Sequence, residues 1–234
     1  MRGRGGGMTD DVQTFVRDRA LTRADFERLP SSVRQVIGCD LDEAQLGGLD
    51  FWGWTFQDCS LRRADFSNAK LDGTTWKSCR AAFIDFTGSD LDGASFHASD
   101  FNNASFRRTS LASARIIRCK LTGADLSDAS LLDVTLEETL LVSARLPGHS
   151  FRGATLRQVD FSQADLARCD FRRALLLDCS LRDADLSRAR FDGADLRGAD
   201  LGGLRLVDAA LFRGAIISRA QAGQILGELG ITVR

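Results

Sequence analysis

Every fifth residue from Leu41 to Ile216 is large and apolar, with Ala81 the single exception. The other 35 of these 36 positions hold Leu, Phe, Ile or Trp. Two residues before each, a small side chain (Ala, Cys, Ser, Thr, Gly or Val) fills 31 of the 36 places. The remaining five are Leu49, Trp54, Ile84, His149 and Leu204. A period of five fits neither the 3.6 of a helix nor the 2 of a strand. The chain must therefore be a stacked repeat structure whose units bury one another.

Copies such as Ala124-Asp125-Leu126, Ala164-Asp165-Leu166 and Ala194-Asp195-Leu196 carry the pattern most clearly. In this the chain resembles the pentapeptide-repeat family. That resemblance implies an all-β solenoid, a right-handed quadrilateral β-helix in which four pentapeptides make one square coil. The large residue and the small one two before it point inward, and the other three positions face water. The 36 pentapeptides make about nine coils, a stack roughly 43 Å tall at the spacing of about 4.8 Å between strands. The expected organisation is a disordered or extended N-terminus over 1–19, the β-helix over 20–217, and a helix and strand over 218–234. Met1-Arg2-Gly3-Arg4-Gly5-Gly6-Gly7 reads as a cloning scar, with Met8 an alternative start.

The register also disposes of most chemistry. All six cysteines, Cys39, Cys59, Cys79, Cys119, Cys169 and Cys179, fall in the small inward slot. They read as buried, reduced substitutes for alanine rather than disulfide or metal partners. His97 is expected on the surface. His149 takes an inward slot after Pro147-Gly148, and the reading is a distorted coil with the imidazole tilted outward. Gly148-His149-Ser150-Phe151-Arg152 lacks both the final glycine and the strand-to-helix setting of a nucleophile elbow. No metal site, cofactor or catalytic group is expected, and the chain does not read as an enzyme. Asp stands just before the central residue in 13 of the 36 repeats. Its expected task is turn chemistry, accepting hydrogen bonds from nearby backbone amides.

After Ile216 the pattern changes. Ser218 suits an N-cap, Arg219 to Leu229 a helix and Gly230 its C′ position. Ile231-Thr232-Val233 reads as a short strand. Ala222, Ile225, Leu226 and Leu229 fall on one face, suited to a second copy about a two-fold axis. The run from Gln221 to Val233 is similar to the C-terminal dimerisation segment of the Qnr and MfpA quinolone-resistance group. This narrower resemblance implies a rod-shaped homodimer that mimics DNA and binds DNA gyrase or topoisomerase IV. It further implies antibiotic resistance or self-protection in the cytoplasm, without direct binding to nucleic acid or membrane. Ala222, Ile225, Leu226, Leu229 and Ile231 would form the dimer contact. A generic interaction scaffold with another partner is the competing reading.

Charge limits the mimicry. Residues 39–213 hold 26 acids and 22 bases, whereas 43 Å of duplex carries roughly 25 negative charges at about one per 1.7 Å. The excess is local: residues 39–103 carry 11 acids against 5 bases. Asp40, Asp42, Glu43, Asp50, Asp72, Asp90 and Asp92 are accordingly the expected partner surface. Ile117, Leu132, Leu140, Val142, Leu175 and Leu177 also fall in outward slots, where a contiguous patch would mark an interface.

Overall fold

The computed structural model describes residues 14–204 and 206–232. Val233 and the tail before residue 14 lie outside them. Nine three-residue strands, β1 (Phe15–Arg17), β2 (Gln35–Ile37), β3 (Thr55–Gln57), β4 (Thr75–Lys77), β5 (Ser95–His97), β6 (Arg115–Ile117), β7 (Thr135–Glu137), β8 (Thr155–Arg157) and β9 (Leu175–Leu177), pair in parallel in chain order. Partners lie 20 residues apart, as in Phe56 against Trp76. Single bridges repeat the same spacing on the other three sides, for example Asp65 with Asp85 and Asp90 with Ser110. This is the four-sided β-solenoid that the family resemblance implies. The ladder begins at β1, below the boundary expected at residue 20, because Val16 already holds the five-residue register and is buried. A short helix, α1 (Arg23–Phe26), interrupts the first coil and presses Phe26 edge-on against Phe51, centroids 5.2 Å apart.

All the central residues from Leu41 to Leu201 are buried. Their stacking continues between coils: Phe56 lies 4.3 Å from Trp76, and Phe151, Phe171 and Phe191 stack at 5.0 Å intervals. Ala81 breaks the large-residue rule without leaving a void, since Ile84, in a small slot three residues later, is also fully buried. The two have exchanged sizes. All six cysteines are free and buried.

Each corner needs a left-handed residue. From Gly38 to Gly203 every fifth position has a positive φ, 34 in succession, and only 12 of them are glycine. None is Val, Ile or Thr, the residues that tolerate this region least. The aspartates supply the rest of the corner: all 13 accept a hydrogen bond from the backbone N–H two residues on, from Asp40 with Asp42 N at 3.0 Å to Asp200 with Gly202 N at 2.9 Å. The expected turn role of these carboxylates is met at every one.

Two sequence expectations change. First, the register does not run intact to Ile216. A 3-10 helix (Leu206–Phe212) adds one residue to the last coil, so Phe212 stacks on Phe191 at 4.6 Å and Ile216 bridges Asp195, each 21 residues away instead of 20. Ile216 is displaced and half exposed. Second, His149 points inward: it is buried, and Nε2 lies 2.9 Å from the Leu126 carbonyl. The corner at Pro147-Gly148 is disturbed as expected: Gly148 keeps a positive φ of +78°, but the N–H of His149 does not bond the Leu146 carbonyl as those of Ala129 and Cys169 bond Leu126 and Leu166 in the adjacent coils.

Candidate functional site

The four sides of the square, taken from the strand side onward, sort the seven acids by position modulo 20. Asp40, Asp42 and Glu43 lie on the second side. Asp50, Asp72, Asp90 and Asp92 lie on the fourth, which is opposite. The two sets therefore cannot face one flat partner together. On the second side the charge is balanced within two coils, because Arg62, Arg63 and Arg80 stand above the acids. The fourth side carries Lys70 alone among its four acids, and that lysine is 3.9 Å from Asp50.

Geometry holds most of these carboxylates rigidly. Asp40, Asp50 and Asp90 fix their own corners. Asp42 Oδ1 accepts from Ser60 Oγ at 2.7 Å and from Arg62 N at 2.8 Å in the next coil, and Asp92 does the same with Ser110 Oγ and Ala112 N. Glu43 is exposed at a left-handed corner. Asp40, Asp42, Asp50, Asp90 and Asp92 thus each commit one oxygen to the fold. Asp65 and Asp85, which the sequence reading left out, are stacked on the third side next to the fourth. Their remainder on division by 20 was the available signal.

Toward the C-terminus the corner acids are neutralised locally. Arg172 grips Asp170 with Nε at 2.8 Å, Arg197 grips Asp195 at 2.9 Å, and Arg182 bonds Asp200 at 2.8 Å. These hydrogen-bonded guanidinium groups hold the three carboxyls below the ordinary carboxylate value. An acidic wall is left on the fourth side of the N-terminal half, four acids against Lys70, with Asp65 and Asp85 on the third side beside it.

The outward apolar residues do not merge. Ile117 and Leu177 share the strand side but are separated by Glu137 and Arg157 in the ladder β6–β7–β8–β9. Leu140 and Val142 lie on the second side, and Leu132 on the fourth.

The C-terminal helix, α2 (Arg219–Glu228), has a Ser218–Gln221 capping box. It ends with Gly230 N bonded to Gly227 O and Ile231 N to Leu226 O, the paired bonds of a Schellman cap. Gln221 is buried and its amide donates to the carbonyls of Leu196 and Ala199, each at 2.7 Å, which latches the helix to the last regular coil. Glu228 accepts from Gly203 N at 2.9 Å. Of the residues expected at a dimer contact, Ile225 packs partly on the solenoid core, whereas Ala222, Leu226 and Leu229 are half-buried and Ile231 is exposed. Ile231 and Thr232 form no strand. Ile216 and Ile217 add exposed apolar surface near this end.

Among the described residues no group of His, Cys, Asp and Glu could hold a metal ion, and no helix is long and apolar enough to cross a membrane. Burial pushes the Cys79 and Cys169 thiols up to about 12, the opposite of an activated nucleophile.

Known proteins give a consistent picture. Residues 35–106 match the family described as "Pentapeptide repeat region". Residues 89–128, 119–158, 129–173 and 164–203 match "Pentapeptide repeats (8 copies)". No curated protein matches the chain. Among solved structures, full-length QnrB1, a plasmid-mediated fluoroquinolone resistance protein, is similar at 22% identity. The match covers 93% of this chain and 100% of that one with a TM-score of 0.71. A trypsin-treated QnrB1 variant is similar at 25% identity, over 86% and 97% of the two chains, with a TM-score of 0.67.

Proposed function

The chain belongs to the pentapeptide-repeat family, and on that premise we propose that it is a non-catalytic rod that binds a type II topoisomerase. The partner is DNA gyrase or topoisomerase IV in the cytoplasm. The rod takes the place of duplex on that enzyme and so gives resistance or self-protection against drugs that target it. The observation that carries this reading is the end-to-end likeness to QnrB1, described as a fluoroquinolone resistance protein, over 100% of that chain. The acidic wall supports it, because fixed carboxylates in a stacked array present negative charge at regular intervals, as a phosphate backbone does. Contact is assigned to the fourth side, through Asp50, Asp72, Asp90 and Asp92, with Asp65 and Asp85 beside it.

The active unit is a homodimer joined through Ala222, Ile225, Leu226, Leu229 and Ile231. The exposed Ile216 and Ile217 support an apolar contact at that end.

A supercoiling assay with and without a fluoroquinolone tests the proposal. Inhibition at micromolar protein, or relief of drug-trapped cleavage, is expected; neither effect opposes it. Asp→Asn changes remove charge while keeping the side-chain oxygen that Asp50, Asp90 and Asp92 use as an acceptor, so they separate binding from folding. Neutralising the four fourth-side acids should weaken inhibition about tenfold. Neutralising Asp125, Asp128, Asp133, Glu137 and Glu138 should change it little, and equal effects refute the contact assignment. Light scattering should give a dimer that Leu226→Asp splits. The modest overall charge, 26 acids against 22 bases over 39–213, favours a second reading, a scaffold for a different partner; a monomer inert toward gyrase would establish it.

A further inference from the structure

Between the first coil, which α1 interrupts, and the last, which the 3-10 helix lengthens, the coils are bonded to one another with near-perfect regularity except at one place. On the fourth side each coil normally makes four backbone bonds to the next. One coil down these are Leu111 N to Ser130 O, Ser113 N to Leu132 O, Ser130 N to Thr109 O and Thr135 N to Ala114 O, all at 2.8–2.9 Å. One coil up they are Phe151 N to Asp170 O, Gly153 N to Arg172 O, Asp170 N to His149 O and Leu175 N to Ala154 O, again at 2.8–2.9 Å. Between these two layers none of the four forms: Leu131, Asp133, Ser150 and Thr155 have no such partner. The bridge between residues 130 and 150 is missing, and β7 meets β8 through Glu137 and Arg157 alone. A cavity of about 590 Å³ opens there, lined by Leu131, Asp133, Val134, Ser150, Phe151 and Arg152 among others.

The cause lies in the small inward slot. Other polar residues in that slot reach the carbonyl 23 positions back with a short side chain, as Thr109 does to Phe86 at 2.8 Å and Thr139 to Ile116 at 3.2 Å. His149 makes the same contact to Leu126 with an imidazole. The ring spans the space between coils where a hydroxyl or thiol would let them close, and it props the fourth side apart. Below the neighbouring corner, Ser127 Oγ is buried without a partner, because Pro147, one coil above it, has no N–H to give. The opposite side stays closed, with Leu141 N to Asp160 O at 2.7 Å and Ser143 N to Ser162 O at 2.9 Å.

In a solenoid each coil touches only its neighbours, so one weakened interface divides the stack into two stiff blocks. We propose that the rod bends at this seam, pivoting on the second side at Leu141 and Ser143 while the fourth side opens and closes, with the His149 ring as the prop. Local opening of this kind is read by amide exchange.

Hydrogen exchange of the full chain, resolved to single amides, tests it. The amides of Leu131, Asp133, Ser150 and Thr155 should exchange at least a hundredfold faster than their bonded counterparts one coil away. The bonded Glu138 amide, at the edge of the seam, should exchange at least tenfold faster than Arg118 and Gln158 in the adjacent coils. Glu138 exchanging as slowly as those two overturns the bending, whatever the variants do. His149→Thr, which keeps the contact to Leu126 in the manner of Thr139, should protect the four seam amides and slow Glu138 to match its neighbours. Seam amides still fast in that variant overturn the role of the ring.

Discussion

Raising the pH from 8 to 10 should bring this protein close to unfolding, through its cysteines. Burial pushes the thiols of Cys59, Cys119 and Cys179 up to about 11 and those of Cys79 and Cys169 to about 12, from an ordinary value of 9.0. An unfolded thiol therefore ionises well before a folded one. The stability tied to these groups is complete below pH 9 and is lost as pH rises from there through 11–12. Each thiol removes about 1.4 kcal/mol per pH unit in that window. Five together remove roughly 7 kcal/mol by pH 10, against a typical total of about 5–15 kcal/mol. The window is unusually clean, because the sequence has no tyrosine and its three lysines, Lys70, Lys77 and Lys120, are exposed. Urea unfolding under reducing conditions at pH 8 and 10 measures the effect. With a slope of about 2–3 kcal/mol per molar urea, the midpoint should fall by more than about 2 M. The same protein with alanine at those five positions, the commonest residue of the slot, should show little change. An equal fall in both proteins would refute the reasoning.

Three smaller predictions follow from single sites. Burial lowers the His149 pKa below the ordinary 6.5, so the unfolded chain binds the proton first and stability falls as pH drops below 6.5. The slope is at most about 1.4 kcal/mol per unit, and His149→Thr should abolish it in urea melts at pH 5 and 7. Phe83 sits at φ of +62° and 52% exposed, with Arg63 over its ring at 5.5 Å. Phe83→Asn should raise stability by about 0.5–1 kcal/mol, since relief of about 1–2 kcal/mol outweighs an exposed cation–π contact; a loss in thermal melts contradicts this. Ile84→Ala should cost about 2–4 kcal/mol and Ala81→Leu about 1–3, while the double variant should cost well under the sum. Strict additivity in that cycle would show that the two residues do not share space.

The sequence shows the inward register because the interior admits one large and one small side chain per quarter turn, and every violation would be felt in packing. The corner aspartates were legible for the same local reason. Three things were hidden. The last coil carries an extra residue although Leu211 and Ile216 keep the spacing of five, because 3-10 geometry, not side-chain size, decides that segment. The seam depends on how far an imidazole reaches between layers; the sequence marks the spot as a distorted coil at Pro147-Gly148-His149, but not as a break between layers. The division of the acids between opposite sides was available by counting in twenties; along the chain Asp42 and Asp50 look like neighbours.

The 34 left-handed corners have a stereochemical consequence. Once in every five residues this chain of L-amino acids adopts a torsion that suits the mirror-image residue better. A D-alanine introduced by chemical synthesis at Arg63, Arg108 or Arg168, with φ of +54°, +55° and +63°, escapes the penalty of about 1–2 kcal/mol that an L-residue pays there. Placed two residues earlier, in the inward slot, it would turn its methyl group away from the core. Chirality at one atom in five is thus the material from which the square is bent.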